Sequence, residues 1–149
     1  MVSAVKWQAA PTITEIMTTQ LNGLSDKHMT TASSEVDNSV NLDTFGWFQL
    51  FGGFSVAPTA SNPSIDLYMA TAPDGTNYEP DPVTGGTDQG HMYVGSFPIQ
   101  KLTGSKYWVI GPFALPPMKF KVFLDNQTLQ AMYATLNTLS IITNNLEGQ

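Results

Sequence analysis

Hydrophobic residues in this chain fall into short runs separated by turn residues, and few of them recur at helical spacing. Phe45 to Phe51 (FGWFQLF) is dense in aromatics and ends at Gly52-Gly53. Ile65, Leu67 and Met69 alternate with Asp66, Tyr68 and Ala70 until Pro73-Asp74-Gly75 closes the run. Met92 to Ile99, Lys106 to Phe113, Met118 to Leu124, Leu129 to Ala134 and Leu136 to Ile142 continue the series. Period-two alternation between turn signals predicts strands, about seven in all. In Met118 to Leu124 the alternation assigns Met118, Phe120, Val122 and Leu124 to a core face and Lys119, Lys121 and Phe123 to the other. Many short strands with Gly, Pro and Asn punctuation predict an all-β fold, a single antiparallel β-sandwich of jelly-roll type, rather than a parallel α/β sheet.

The amino-terminal stretch reads differently. Thr12 followed by Glu15 has the form of a capping box, Ile13, Ile16, Met17, Leu21 and Leu24 fall at helical intervals, and Gly23 is the natural stop. Residues 1–24 are therefore expected to form a short amphipathic helix or an extended arm, and residues 25–149 the sandwich domain. Between Ser25 and Asp43 the chain is polar and without period, which predicts a loop or an irregular edge strand. Two long connections, Ala57 to Ser64 and Thr71 to Gly90, are expected on the surface.

One feature of the pattern exceeds what a core requires. Trp47-Phe48 and Trp108-Val109-Ile110 put apolar side chains on both faces of their strands. One face can turn into the core, and the other needs different cover. Phe123 shares a face with Lys119 and Lys121, and Trp7, Ile13, Ile16 and Met17 make an apolar stripe near the amino terminus. These seven residues, Trp7, Ile13, Ile16, Met17, Lys119, Lys121 and Phe123, are the candidate partner interface.

Composition narrows the chemistry. The 149 residues include no Cys and no Arg, six Lys, twelve acidic residues and two His, with a formal charge of −6. Without Cys there is neither a disulfide framework nor a thiolate zinc site. The lack of Arg together with net negative charge argues against nucleic acid. No apolar run approaches the length of a membrane span, and Met1 to Pro11 lacks the basic and apolar regions of a signal peptide. Charge is uneven: residues 1–100 carry two lysines against ten acidic residues, whereas residues 101–149 carry four lysines against two. Such asymmetry favours oriented docking on another protein.

Candidate catalytic groups are sparse. Asp74 to Asp81 gathers oxygen ligands but lacks the spacing of a calcium loop. His28 and His91 have no nucleophile elbow beside them. Glu35, Asp37 and Asp43 cluster as a glycosidase pair would require. Trp47, Tyr68, Tyr93, Tyr107 and Trp108 are candidates for stacking carbohydrate. The reading is non-enzymatic, with no catalytic, cofactor or metal residues assigned.

The segments TITEIMTTQLNGL (Thr12 to Leu24), SSEVDNSVNLD (Ser33 to Asp43), IDLYMATAPDGTNY (Ile65 to Tyr78), YVGSFPI (Tyr93 to Ile99) and ALPPMKFKVFLDNQT (Ala114 to Thr128) occur in an order that resembles small virion proteins of tailed bacteriophages. The resemblance covers most of the chain and is greatest to capsid decoration, or cement, proteins with a jelly-roll fold. It implies a homo-oligomer, dimer or trimer, made in the host cytoplasm and bound to the major capsid protein on the outer surface of the phage head. The chain departs from that pattern at Asn126-Gln127-Thr128-Leu129, where the family often has Gly in the last position. The alternative is a tail-associated or receptor-binding module that stacks sugars on exposed aromatics.

Overall fold

A computed structural model describes residues 5–7, 11–79 and 92–148 of the chain. It contains ten strands: β1 (Val5–Trp7), β2 (Thr12–Met17), β3 (Val36–Asp37), β4 (Phe45–Phe54), β5 (Ser64–Ala72), β6 (Met92–Pro98), β7 (Gly104–Ala114), β8 (Lys119–Gln127), β9 (Thr138–Asn144) and β10 (Leu146–Gly148). Two four-stranded antiparallel sheets, ordered β2-β9-β4-β7 and β3-β8-β5-β6, pack on each other, and β1 pairs with β10 alone.

A single rule generates this order. Each strand of the first half pairs antiparallel with its mirror image in the second half: β1 with β10, β2 with β9, β3 with β8, β4 with β7 and β5 with β6. The chain is thus one long two-stranded ribbon folded at β5–β6. Wrapping the ribbon brings β9 against β4 and β8 against β5, which closes two Greek keys into a jelly roll. The expected all-β sandwich is what the chain adopts.

Inward positions of both sheets supply the core. Phe48, Leu50 and Phe54 of β4 meet Ile65, Leu67 and Met69 of β5, Phe120, Val122 and Leu124 of β8, and Leu139 and Ile141 of β9. Burial of this set, at about 25 cal/mol per Å² of apolar surface, is the main force holding the sheets together. β4 does not stop at Gly52-Gly53 but runs on to Phe54. The two glycines are there for space: a Cβ at Gly53 would lie 2.5 Å from the carbonyl oxygen of Gly104, and one at Gly52 would lie 2.8 Å from Asn137 Oδ1.

The amino-terminal helix is not formed. Thr12–Met17 is an edge strand of the sandwich, followed by a single 3-10 turn, Thr19–Leu21. A bulge between Glu15 and Met17 turns both Ile16 and Met17 inward, so a strand imitates helical spacing. Leu129 to Ala134 is likewise not a strand. Residues 128–137 form a loop tied down by two buried asparagines, Asn126 and Asn137. Asn126 Nδ2 donates to the carbonyls of Leu24 (2.9 Å) and Gln130 (2.8 Å), and Asn137 Nδ2 to that of Tyr133 (2.7 Å).

The aperiodic polar segment is the irregular edge strand. Lys27, Thr30 and Ser33 donate their N–H groups to the carbonyls of Asn126, Leu124 and Val122. The segment therefore advances three residues for every two of β8 and leads into β3, where Val36 faces Phe120. Carbonyls cannot answer every β8 amide at that pitch. Thr30 Oγ1 and Ser33 Oγ accept from the amides of Leu124 and Val122 instead, each at 3.0 Å.

Candidate interaction surface

Alternation that sends Phe48 and Leu50 into the core sends Phe45, Trp47, Gln49 and Phe51 outward. The register of the β2-β9-β4-β7 sheet aligns them in rows, two largely apolar and one between them polar except for Val109. Ile13 faces Ile142, which faces Trp47; Ser140 faces Gln49, which faces Val109; Thr138 faces Phe51, which faces Tyr107. The rings of Phe51 and Tyr107 touch, with centroids 4.6 Å apart.

Several side chains of this face are open to solvent. Ile13 is 65% exposed, Tyr107 66% and Val109 52%, while Trp47, Phe51 and Ile142 are half-buried. Glu15 is the only charged side chain among these outward positions. Exposed apolar side chains in such rows, with a single charge among them, favour contact with another apolar surface.

The seven residues singled out from sequence are scattered by the fold. Ile13 lies on this face. Ile16 and Met17 are buried in the core, which corrects their assignment to a partner surface. Phe123 is buried too: Met29 and Ala70 pack on it, with Ala32, Tyr68 and Tyr78 around them. Its cover is the 27–33 edge segment together with Tyr78, elements distant in sequence. Lys119 Nζ sits 3.0 Å from Glu35 Oε1 and 4.0 Å from Asp37 Oδ2. Lys121 Nζ lies over the ring of Tyr78, 4.5 Å from its centroid. Both lysines are thus engaged within the chain rather than forming a bare basic edge. The backbone of Trp7 belongs to β1, and its side chain lies outside the described residues. Sequence reasoning did not single out Phe51 and Ile142, and it placed Tyr107 among five candidates for stacking sugar, although the doubled apolar faces of β4 and β7 carried the signal.

The candidate catalytic groups are also committed locally. Glu35 accepts hydrogen bonds from the Tyr78 hydroxyl and from Lys119, and these hold its carboxyl below the usual range. The Ser39 hydroxyl and amide do the same for Asp37, at 2.6 and 3.0 Å. A general acid needs the opposite shift. Together with Asp43, Thr12, Thr14, Asn38 and Thr143, these carboxylates line a shallow groove of about 170 Å³ where short β3 leaves the sandwich seam open. Asp74 caps its own turn, its Oδ1 accepting from the amides of Thr76 (2.9 Å) and Asn77 (2.7 Å). His28 Nδ1 lies 2.8 Å from the Asp26 carbonyl oxygen. Asp81 and His91 lie outside the described residues. Among the described residues no three acidic or histidine side chains converge as metal ligands would.

Comparison with known protein families, curated proteins and solved structures finds no match.

Proposed function

We propose that this chain is a non-enzymatic decoration protein of a tailed-phage head, which binds the outer surface of the assembled shell and stabilises contacts between major capsid subunits. The observation that carries this reading is the outer face of the β2-β9-β4-β7 sheet: two rows of partly exposed apolar side chains flanking a polar row with one charge, on a domain whose sheets already enclose a core. Covering such exposed apolar side chains with another protein gains free energy. A ligand that binds the assembled shell and not its separate subunits stabilises the assembly by mass action, roughly 3 to 4 kcal/mol per site at a few hundred-fold excess over Kd. Copies associate as dimers or trimers on the shell in this reading. Exposed Lys101 and Lys106 near the β7 edge supply the positive side of an otherwise acidic molecule.

Sedimentation with purified heads tests the proposal. The wild-type chain is expected to pellet with heads, to raise their resistance to heat, and to be present at hundreds of copies per virion. Val109→Asp puts a charge on the β7 edge of the face at an exposed position, so it should fold normally and lose at least about tenfold in head affinity. Unchanged binding of that variant, or binding to tails alone at a few dozen copies or fewer, overturns the reading.

A further inference from the structure

The opposite side of the sandwich carries a second surface, built differently. β6 departs from regular pairing once. Leu67 faces Gly95, but Tyr68 faces Tyr93, so Val94 is an extra residue between them. In an unbroken ladder Val94 would face Tyr68 on the outside and Tyr93 would point into the core. The bulge reverses both: Val94 packs against the core, and Tyr93 stands on the outer face beside Tyr68.

Tyr93 is then fixed from two directions while remaining 56% exposed. Its ring meets that of Tyr68 edge-on, centroids 5.6 Å apart at 67°. Its hydroxyl is 2.7 Å from Ser96 Oγ, and Ser96 donates to Asp66. Asp66 faces Asp125 on β8, and Gln127 Nε2 donates to Asp125 Oδ2 at 2.7 Å. An exposed ring held in one orientation thus borders a row of hydroxyl, carboxylate and amide groups, and little rotamer entropy remains to be lost on binding.

From this geometry we infer that the outer face of the β6-β5-β8 sheet binds an uncharged carbohydrate, with a pyranose ring stacked on Tyr93 and its hydroxyls bonded to Asp66, Ser96 and Gln127. A pyranose offers an apolar C–H face for the ring and hydroxyls, as donors and acceptors, for the row beside it. The Asp66 carboxylate at the edge of the ring disfavours an anionic sugar. A cationic peptide fits less well, because each carboxylate already takes a hydrogen bond from Ser96 or Gln127 and the hydroxyl row gives a cation nothing further. The site lies on the sheet opposite the apolar face, so it stands or falls independently of shell binding.

Calorimetric titration of the full chain with maltohexaose, cellohexaose and the hexamer of N-acetylglucosamine provides the test. At least one is expected to bind, with Kd on the order of 0.1–1 mM. Tyr93→Ala should weaken it by about tenfold, the loss of one stacking contact, and Asp66→Asn by several-fold. Val40→Ser, at an exposed position of the 38–43 loop, should leave it unchanged. Tyr93→Phe guards against misfolding, since it keeps the ring and should keep most of the affinity. The inference is overturned if none of the three saccharides binds, if Tyr93→Ala binds as well as wild type while folded, or if Val40→Ser loses as much. Binding of hexalysine that disappears at 0.3 M salt, without saccharide binding, overturns it in favour of a cationic partner.

Discussion

At the scale of single residues, the chain places side chains where glycine would be easier. Leu129 adopts φ 61°, in the left-handed region, and is 47% exposed, with its amide held by Asp26 Oδ1 at 2.8 Å. Left-handed backbone costs a non-glycine residue about 1–2 kcal/mol, and glycine's larger unfolded-state entropy returns about 0.5–1 of that. Leu129→Gly is therefore expected to stabilise the fold by about 0.5–1 kcal/mol, read as a higher urea midpoint at unchanged slope. Glu35 makes a pH-dependent contribution. The Tyr78 hydroxyl, and then Lys119, hold its folded pKa below the unfolded value, so its stabilisation is complete above the unfolded pKa and is lost as pH falls through the folded one. Urea midpoints of wild type and Glu35→Gln should differ most at neutral pH, with wild type the more stable, and converge in the acid range that begins near about pH 4. A gap independent of pH would show that geometry rather than charge matters at this position.

Between elements, what could be read from sequence depended on how regular the pairing is. β8 keeps strict alternation, and its core face of Phe120, Val122 and Leu124 was legible residue by residue. β2 was not, because one bulge turns a period-two strand into neighbouring buried residues, Ile16 and Met17. Phe123 misled for another reason: its cover comes from Met29 and Ala32, which no local pattern connects to β8. The apolar outer face was legible only in outline, as doubled hydrophobicity in β4 and β7, since the register that joins Ile13, Ile142 and Trp47 into one row is a long-range property. The 27–33 segment had no readable period because it advances three residues for two of its neighbour. That pitch makes its hydroxyls structural. Thr30→Val and Ser33→Ala each leave a buried β8 amide without an acceptor and should cost about 1–3 kcal/mol, with faster hydrogen exchange at Leu124 and Val122 respectively. Exchange unchanged at those two amides would mean that the hydroxyls are not their acceptors in solution.

Across the whole molecule, the two sheets present contrasting exteriors: one apolar and nearly without charge, the other polar, with tyrosines set among carboxylates and lysines. Charge is used sparingly, with 18 Lys, Asp and Glu in 149 residues, and Glu15 is the one charged side chain among the outward strand positions of the apolar side. The nested pairing has a mechanical consequence. Val5 and Gly148 are partners in the outermost pair, so the two ends of the folded chain lie side by side. A force pulling them apart acts along the hydrogen bonds of β1 and β10 and then of β2 and β9, breaking them one after another as a zipper opens, whereas shear would have to break a whole ladder at once. Tension entering through the ends is thus the load this molecule resists least. Compression or shear across the sheet faces, spread over the interlocked core, is the load it resists best.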